Sequence, residues 1–237
     1  LDLFKPDCLC VQEHWLTVDN LFNLDVDPDY FVVSSPALRT AVEKGPIVAR
    51  PSGGIATLVN RKLIRECRVL LNSERCIIIE FAGFMLINIY LPCVGTENRL
   101  GICSEIISDI EFYLSSTDRE LFIIAGDFNT DFLPNCHANY VDNLREFLLR
   151  HKFVSAYDIH PHQSFVSYCN ARLGHSSLIA YVFVNSLDVI MDICVFNPSL
   201  SYSDHFPIVC KFRIPVFLDN QPLYNKIEGV TVPFLRW

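Results

Sequence analysis

The chain has 237 residues, 51% of them hydrophobic, enough for one large domain with a substantial buried core. Its formal net charge of -8, from 19 basic against 27 acidic side chains, argues against binding nucleic acid by bulk charge, which relies on neutralised phosphates. An enzyme whose acids hold a metal, with local basic patches for grip, is compatible with that balance. No apolar run approaches the ~18 residues that cross a bilayer, so no membrane span is expected.

The sequence opens on Leu1-Asp2-Leu3-Phe4-Lys5-Pro6, with no initiator Met, basic leader or small-residue cleavage site. It reads as an excised segment of a nuclear or cytoplasmic protein, not a secreted one. Ten cysteines are scattered without paired spacing, mostly in apolar runs (Cys8, Cys10, Cys67, Cys76, Cys194, Cys210), and read as reduced, buried small hydrophobes. No Cys/His cluster suggests zinc.

Short β-branched and aromatic runs predict strands over 7–12, 30–33, 54–59, 76–81, 84–90, 121–125, 178–184, 189–196 and 206–212. Across 100–114, Cys103, Ile106, Ile107, Ile110 and Leu114 fall at helical spacing, as do Tyr140, Val141, Leu144, Phe147 and Leu148 across 140–151. Both segments should be amphipathic helices lying on a sheet. Strands that arrive in adjacent pairs with occasional helices fit neither simple βαβ alternation nor an all-β chain. They predict an α/β domain with a mixed two-sheet core and outer helices. Residues 214–237, with Pro215, Pro222, Pro233 and little periodicity, read as a C-terminal extension or linker after a domain spanning 1–213. Arg61, Lys62, Arg65 and Arg68 form a basic cluster, for which a solvated face is the simpler reading.

Three short segments could carry chemistry. Gln12-Glu13-His14-Trp15 follows the first strand, where a Glu is more often a surface residue than a metal ligand. Gly126-Asp127-Phe128-Asn129 closes the fully apolar run 121–125; these are ordinary turn residues, yet an acid and an amide two apart can point the same way from a strand end. Ser203-Asp204-His205 precedes the last strand and sets a carboxylate beside the one side chain that titrates near neutral pH. Glu13 and Asp127 end their strands while Asp204 and His205 begin theirs. All four share a rim only if the last strand runs antiparallel to the others. Tyr90, at the end of its strand, would reach the same rim.

Taken in order, Gln12-Glu13, Asn88-Ile89-Tyr90-Leu91-Pro92, Gly126-Asp127-Phe128-Asn129, Ser177-Leu178-Ile179 with Tyr181, and Ser203-Asp204-His205 resemble the motifs of the endonuclease/exonuclease/phosphatase superfamily. Pro6-Asp7 ahead of Gln12-Glu13, and His175-Ser176-Ser177 ahead of Tyr181, look most like the apurinic-type endonuclease domain of non-LTR, LINE-like retrotransposons. The resemblance covers about 1–212. It implies a DNase-like four-layer α-β-β-α sandwich with two mixed, mainly antiparallel sheets, here missing the N-terminal strand. It further implies a hydrolase that nicks DNA for target-primed integration, with Mg²⁺ as cofactor or Mn²⁺ in its place, and a reverse transcriptase domain following in the full-length protein. Position by position, Glu13 resembles the principal metal ligand and Asp204 a further acid at the metal. Asp127 resembles the residue that positions or deprotonates the attacking water, Asn129 the one that holds the scissile phosphate, and Tyr90 and His205 the groups that stabilise it.

The pattern breaks at three places. Ala180 stands where the family carries an Asp that hydrogen-bonds the active-site His, so His205 should be looser and less readily protonated. The N-terminal strand that carries an Asn near the metal is absent, and Cys93 stands where an Asn commonly follows the Tyr-x-Pro motif. A weakly active or inactive nuclease is the expectation. The alternatives are a non-catalytic, domesticated or decayed relic, and another phosphodiesterase or phosphatase of the superfamily.

Overall fold

A computed structural model describes residues 5–25, 27–37, 53–132, 139–196, 203–218 and 221–232. The opening residues 1–4 and the tail 233–237, with Pro233, lie outside the described residues.

Six strands, β1 (Cys8–Gln12), β2 (Tyr30–Ser35), β3 (Ile55–Asn60), β12 (Ile190–Val195), β13 (Ile208–Leu218) and β14 (Gln221–Val232), form one sheet in the order β12-β13-β14-β1-β3-β2. Six more, β4 (Cys67–Asn72), β5 (Cys76–Phe81), β6 (Met85–Tyr90), β7 (Phe122–Asp127), β8 (Val154–Ser155) and β11 (Ala180–Val184), form a second in the order β4-β5-β6-β7-β11-β8. The short strands β9 (Tyr168–Asn170) and β10 (His175–Ser177) make a separate hairpin. Pairing is antiparallel except for β1 with β14 and β6 with β7.

Side-chain alternation shows how the sheets stack. In β1, Cys8 and Cys10 turn inward to the main core, while Leu9 and Val11 face the other way. On that outer face they join Leu24, Tyr30, Ala56 and Leu58, beneath the 3₁₀ segment Val18–Leu24. Strands β6 and β11 are buried along their whole length, as expected of apolar runs covered on both faces. What covers the second sheet is a pair of helices, α1 (Arg99–Ser115) and α2 (Asn139–Arg150). Ile106, Ile110, Leu114, Leu144, Phe147 and Leu148 all enter the same core as the sheet. The result is an α/β sandwich of two mixed, mainly antiparallel sheets, with the two helices over the second sheet and the 3₁₀ segment over the first, the fold class expected from the sequence.

Four strands are not legible in the sequence. The edge strand β4 has no fully buried residue and carries Arg68 and Asn72 in its short run, and β8, β9 and β10 have only two or three residues each. A fifth, β14, is a larger departure. Residues 214–218 and 221–232 of that segment lie in strands: β13 continues to Leu218, and β14 pairs antiparallel with β13 and parallel with β1. Pro222 is accommodated opposite Phe217 as the second residue of β14, near the strand end where a missing N–H disrupts the ladder least. β1 is paired along its length with β3 on one side and, at Cys8 and Leu9, with β14 on the other.

Three members of the basic cluster pair within the chain while staying exposed to solvent. Lys62 forms an ion pair with the buried Asp7, Arg61 donates to the Pro28 carbonyl at 2.8 Å, and Arg68 pairs with Glu80 at 3.0 Å. The nine cysteines among the described residues are free thiols, and burial pushes Cys10 up to about 12. Among the described residues no helix is long and apolar enough to cross a membrane.

Candidate active site

The two sheets are joined by a buried polar bridge just below one rim. Gln12, the last residue of β1, donates from its side-chain amide to Asn88 of β6. Asn88 in turn donates to the Ala56 carbonyl at 2.8 Å and the Thr57 hydroxyl at 3.0 Å, both in β3. An amide buried between sheets is costly unless satisfied, so this network fixes how the ends of β1 and β6 stand relative to each other.

One residue beyond Gln12, Glu13 leaves the strand in the left-handed region at φ 54, and its carboxylate accepts the Tyr90 hydroxyl. Tyr90 ends β6 with 5% of its surface exposed. The Arg75 guanidinium lies 4.9 Å from the Tyr90 ring centroid and donates to the Tyr90 carbonyl at 3.3 Å. Burial, and then the neighbouring Glu13 carboxylate, hold the Tyr90 phenol far above its ordinary range, so it keeps its proton at any physiological pH.

Asp127 ends β7, whose parallel register with β6 sets it opposite Tyr90. Its carboxylate accepts the Asn129 N–H at 2.8 Å, a local Asx turn that holds Asn129 at φ 46. The Asn129 amide donates to the Leu91 carbonyl at 2.8 Å, and Arg99 donates to the Asn129 carbonyl at 2.7 Å. Gly126 makes this junction possible: a Cβ there would lie 1.9 Å from the Ile89 carbonyl oxygen, on backbone at φ +152. Gly126→Ala is therefore expected to cost about 3 kcal/mol or more, because the clash is with backbone and not with a side chain that can swing away. Urea denaturation would measure it.

On the other side of β7, Ala180 opens β11 directly opposite Asp127. Its N–H donates to the Ser167 hydroxyl at 3.0 Å, and the Ser167 carbonyl accepts the Phe206 N–H at 2.8 Å. That link brings the segment before β13 to the same rim. Tyr168 bridges to His205 through the backbone and packs against its ring, centroids 5.0 Å apart. The Asp204 carbonyl accepts the Cys169 N–H at 2.8 Å.

Register completes the placement. Val209 pairs with Thr231, and Thr231 with Leu9, so the N-terminal end of β13, which His205 precedes, and the C-terminal end of β1, which Glu13 follows, lie at the same end of the sheet. The requirement of an antiparallel last strand is met, since β13 opposes β14 and β14 runs with β1. The topology thus carries Glu13, Tyr90, Asp127, Asn129, Asp204 and His205 to one rim of the sandwich. Sequence reasoning missed the Asn88 bridge, Arg75 and Ser167. An amide within the apolar run of β6 was a usable signal for the first, whereas nothing in the sequence singles out Ser167.

Among the described residues, no three His, Cys, Asp or Glu side chains form a metal cage. The donors the rim offers are hard carboxylate oxygens. A Mg²⁺ ion is commonly held by one or two carboxylates and completes its shell with water, so Glu13 and Asp204 fit it in chemistry and number.

No protein-family model and no curated protein matches the sequence. Solved structures match in fold. A 3′ phosphatase from Neisseria, solved with a product DNA hairpin, superposes with a TM-score of 0.64 and 16% identity, covering 87% of this chain and 89% of that one. An AP endonuclease from Archaeoglobus fulgidus gives a TM-score of 0.62 and 20% identity over 88% and 89% of the two chains. The human Nocturnin catalytic domain, with a bound sulfate anion, gives 0.60 and 17% over 89% and 81%. The chain has the AP-endonuclease fold. At these identities the likeness is one of architecture, and the chemistry must be argued from the rim.

Proposed function

We propose that this chain is a Mg²⁺-dependent phosphodiesterase of endonuclease type that nicks DNA, the integration nuclease of a LINE-like retrotransposon, with its activity lowered by Ala180. The observation that carries this reading is the meeting of Glu13, Tyr90 and Asp127 at the ends of three strands from two sheets, linked through Ala180 and Ser167 to the His205 segment. Fold neighbours that include an AP endonuclease and a phosphatase bound to DNA support it.

In this reading Glu13 and Asp204 hold the metal, with Mn²⁺ able to substitute. When bound, the ion offsets the charge that develops on the phosphoryl oxygens. Asp127, 2% exposed and fixed by its bond to the Asn129 N–H, orients the attacking water and takes its proton. Asn129 holds the scissile phosphate. Tyr90, kept protonated, reaches the phosphate by turning its single O–H from the Glu13 carboxylate to a phosphate oxygen, and His205 stabilises the same charge. The full-length protein would carry a reverse transcriptase after this domain and act in the nucleus or cytoplasm.

The test is nicking of supercoiled plasmid with Mg²⁺, beside parallel assays on poly(A) and inositol phosphates. Slow nicking is expected, abolished by chelation and lowered ~10²-fold or more by Asp127→Asn. Nicking that survives chelation, or a preference for either other substrate, would overturn the assignment. A second reading, a non-catalytic relic, is favoured by the buried Ala180; calorimetry showing no binding of Mn²⁺ or DNA would establish it instead.

A further inference from the structure

The loop that presents Glu13 is held in an unusual shape. Glu13 and Trp15 both have left-handed backbones, at φ 54 and 58, and the residue between them, His14, is 1% exposed. Positive φ is uncommon outside glycine, and two such residues around a buried one require something that fixes them.

His14 has the contacts to do so. Its Nδ1 accepts the Leu16 N–H at 3.0 Å, and its Nε2 faces the Ser35 carbonyl at 3.1 Å. These partners define the tautomer: Nδ1 carries the lone pair and Nε2 the proton. The first bond closes a turn immediately after Glu13; the second ties that turn to the end of β2. The flat of the ring fills the place a side chain would take at Gly54, where a Cβ would lie 2.4 to 2.8 Å from three ring atoms. The chain beside it reinforces the arrangement, with the Trp15 N–H on the Gly53 carbonyl at 3.0 Å and the Ala37 N–H on the Leu16 carbonyl at 2.8 Å. A Cβ at Gly53 would lie 4.0 Å from the ring of Tyr90, the residue that bonds Glu13.

We propose that His14 is a positioning residue: locked between Leu16, Ser35 and the empty side of Gly54, it aims the Glu13 carboxylate at the rim. The imidazole touches neither substrate nor metal; it acts through Glu13. The proposal rests on reading Glu13 as the metal ligand. It also assigns Gly54 a role, as the socket into which the ring fits.

The experiment measures Mn²⁺ binding by calorimetry on the intact chain, with thermal unfolding and amide hydrogen exchange at residues 15–16 recorded alongside. Partners that orient a metal ligand typically contribute 10- to 100-fold in affinity. His14→Ala is expected to weaken Mn²⁺ binding at least tenfold and to deprotect the Leu16 amide. His14→Asn should restore part of both, because its side-chain oxygen occupies the position of Nδ1 and accepts the same N–H. Gly54→Ala, which pushes the ring out of its socket, should reproduce the loss with the imidazole intact. Leu144→Ala, a core change on α2, should lower the melting temperature and leave the affinity unchanged. Wild-type affinity in His14→Ala, or a loss in Leu144→Ala as large as in His14→Ala, would overturn the proposal. If Glu13→Gln itself binds Mn²⁺ as the wild type does, it is the reading of Glu13 as ligand that fails.

Discussion

Ala180→Asp is expected to raise Mg²⁺-dependent plasmid nicking by ~10²-fold or more, within the range typical of a group that orients a catalytic acid or base. The position is favourable. Ala180 is fully buried opposite Asp127, and its N–H shares the Ser167 hydroxyl with the N–H of Ile179. Ser167 joins this corner to Phe206, the residue after His205, so a carboxylate introduced here enters the neighbourhood of the imidazole. An anion at that point favours one tautomer and stabilises the cationic form that answers charge on the phosphate. Burying a carboxylate also carries a cost, and the variant should melt below the parent even as it gains rate. Faster catalysis from a less stable protein is the signature to look for, since general repair of the fold would move both upward. Ala180→Asn, which can orient but not charge His205, should fall between the two. A folded Ala180→Asp that nicks no faster than the parent would remove Ala180 as the cause of weakness.

How much of this was legible beforehand follows from what each signal depends on. The central strands β5, β6, β7 and β11 announced themselves because they are largely covered on both faces and their sequences are apolar but for isolated residues such as Glu80 and Asn88. The helices were equally plain, since Ile106, Ile110 and Leu114, and Leu144, Phe147 and Leu148, repeat at the period that a single buried face demands. Individual site residues could be nominated from short motifs, but only topology places Glu13, Asp127 and His205 on one rim, because that depends on the order and direction of strands far apart in sequence. His14 illustrates the limit. Beside Glu13 in a short polar run it looks like any loop histidine, and its function depends on contacts with Ser35 and Gly54 that no local pattern encodes. The same holds for β14, where Pro222, Asn225 and Gly229 interrupt the alternation by which a strand is recognised.

The strand β14 leads to the other large effect. Ending the chain after Ile214 is expected to lower the melting temperature sharply or to leave the protein insoluble, although the removed segment reads as a linker. In the sheet order, β14 separates β13 from β1, so its loss splits the remaining five strands into β12-β13 on one side and β1-β3-β2 on the other. Both new edges would expose unpaired N–H and C=O groups at the centre of a sandwich, where each forfeited ladder bond is worth about 1 kcal/mol net and bare edges invite aggregation. The damage would also be functional. β1 presents Glu13, the segment leading into β13 presents Asp204 and His205, and β14 is what holds these two strands in register. Truncation should therefore abolish Mn²⁺ binding even in any fraction that stays soluble, a result that loss of an appended linker would not give. Should the shortened chain melt, bind Mn²⁺ and nick plasmid as the full one does, the domain would end near residue 213, as composition alone suggests, and β14 would be dispensable to the sheet it occupies.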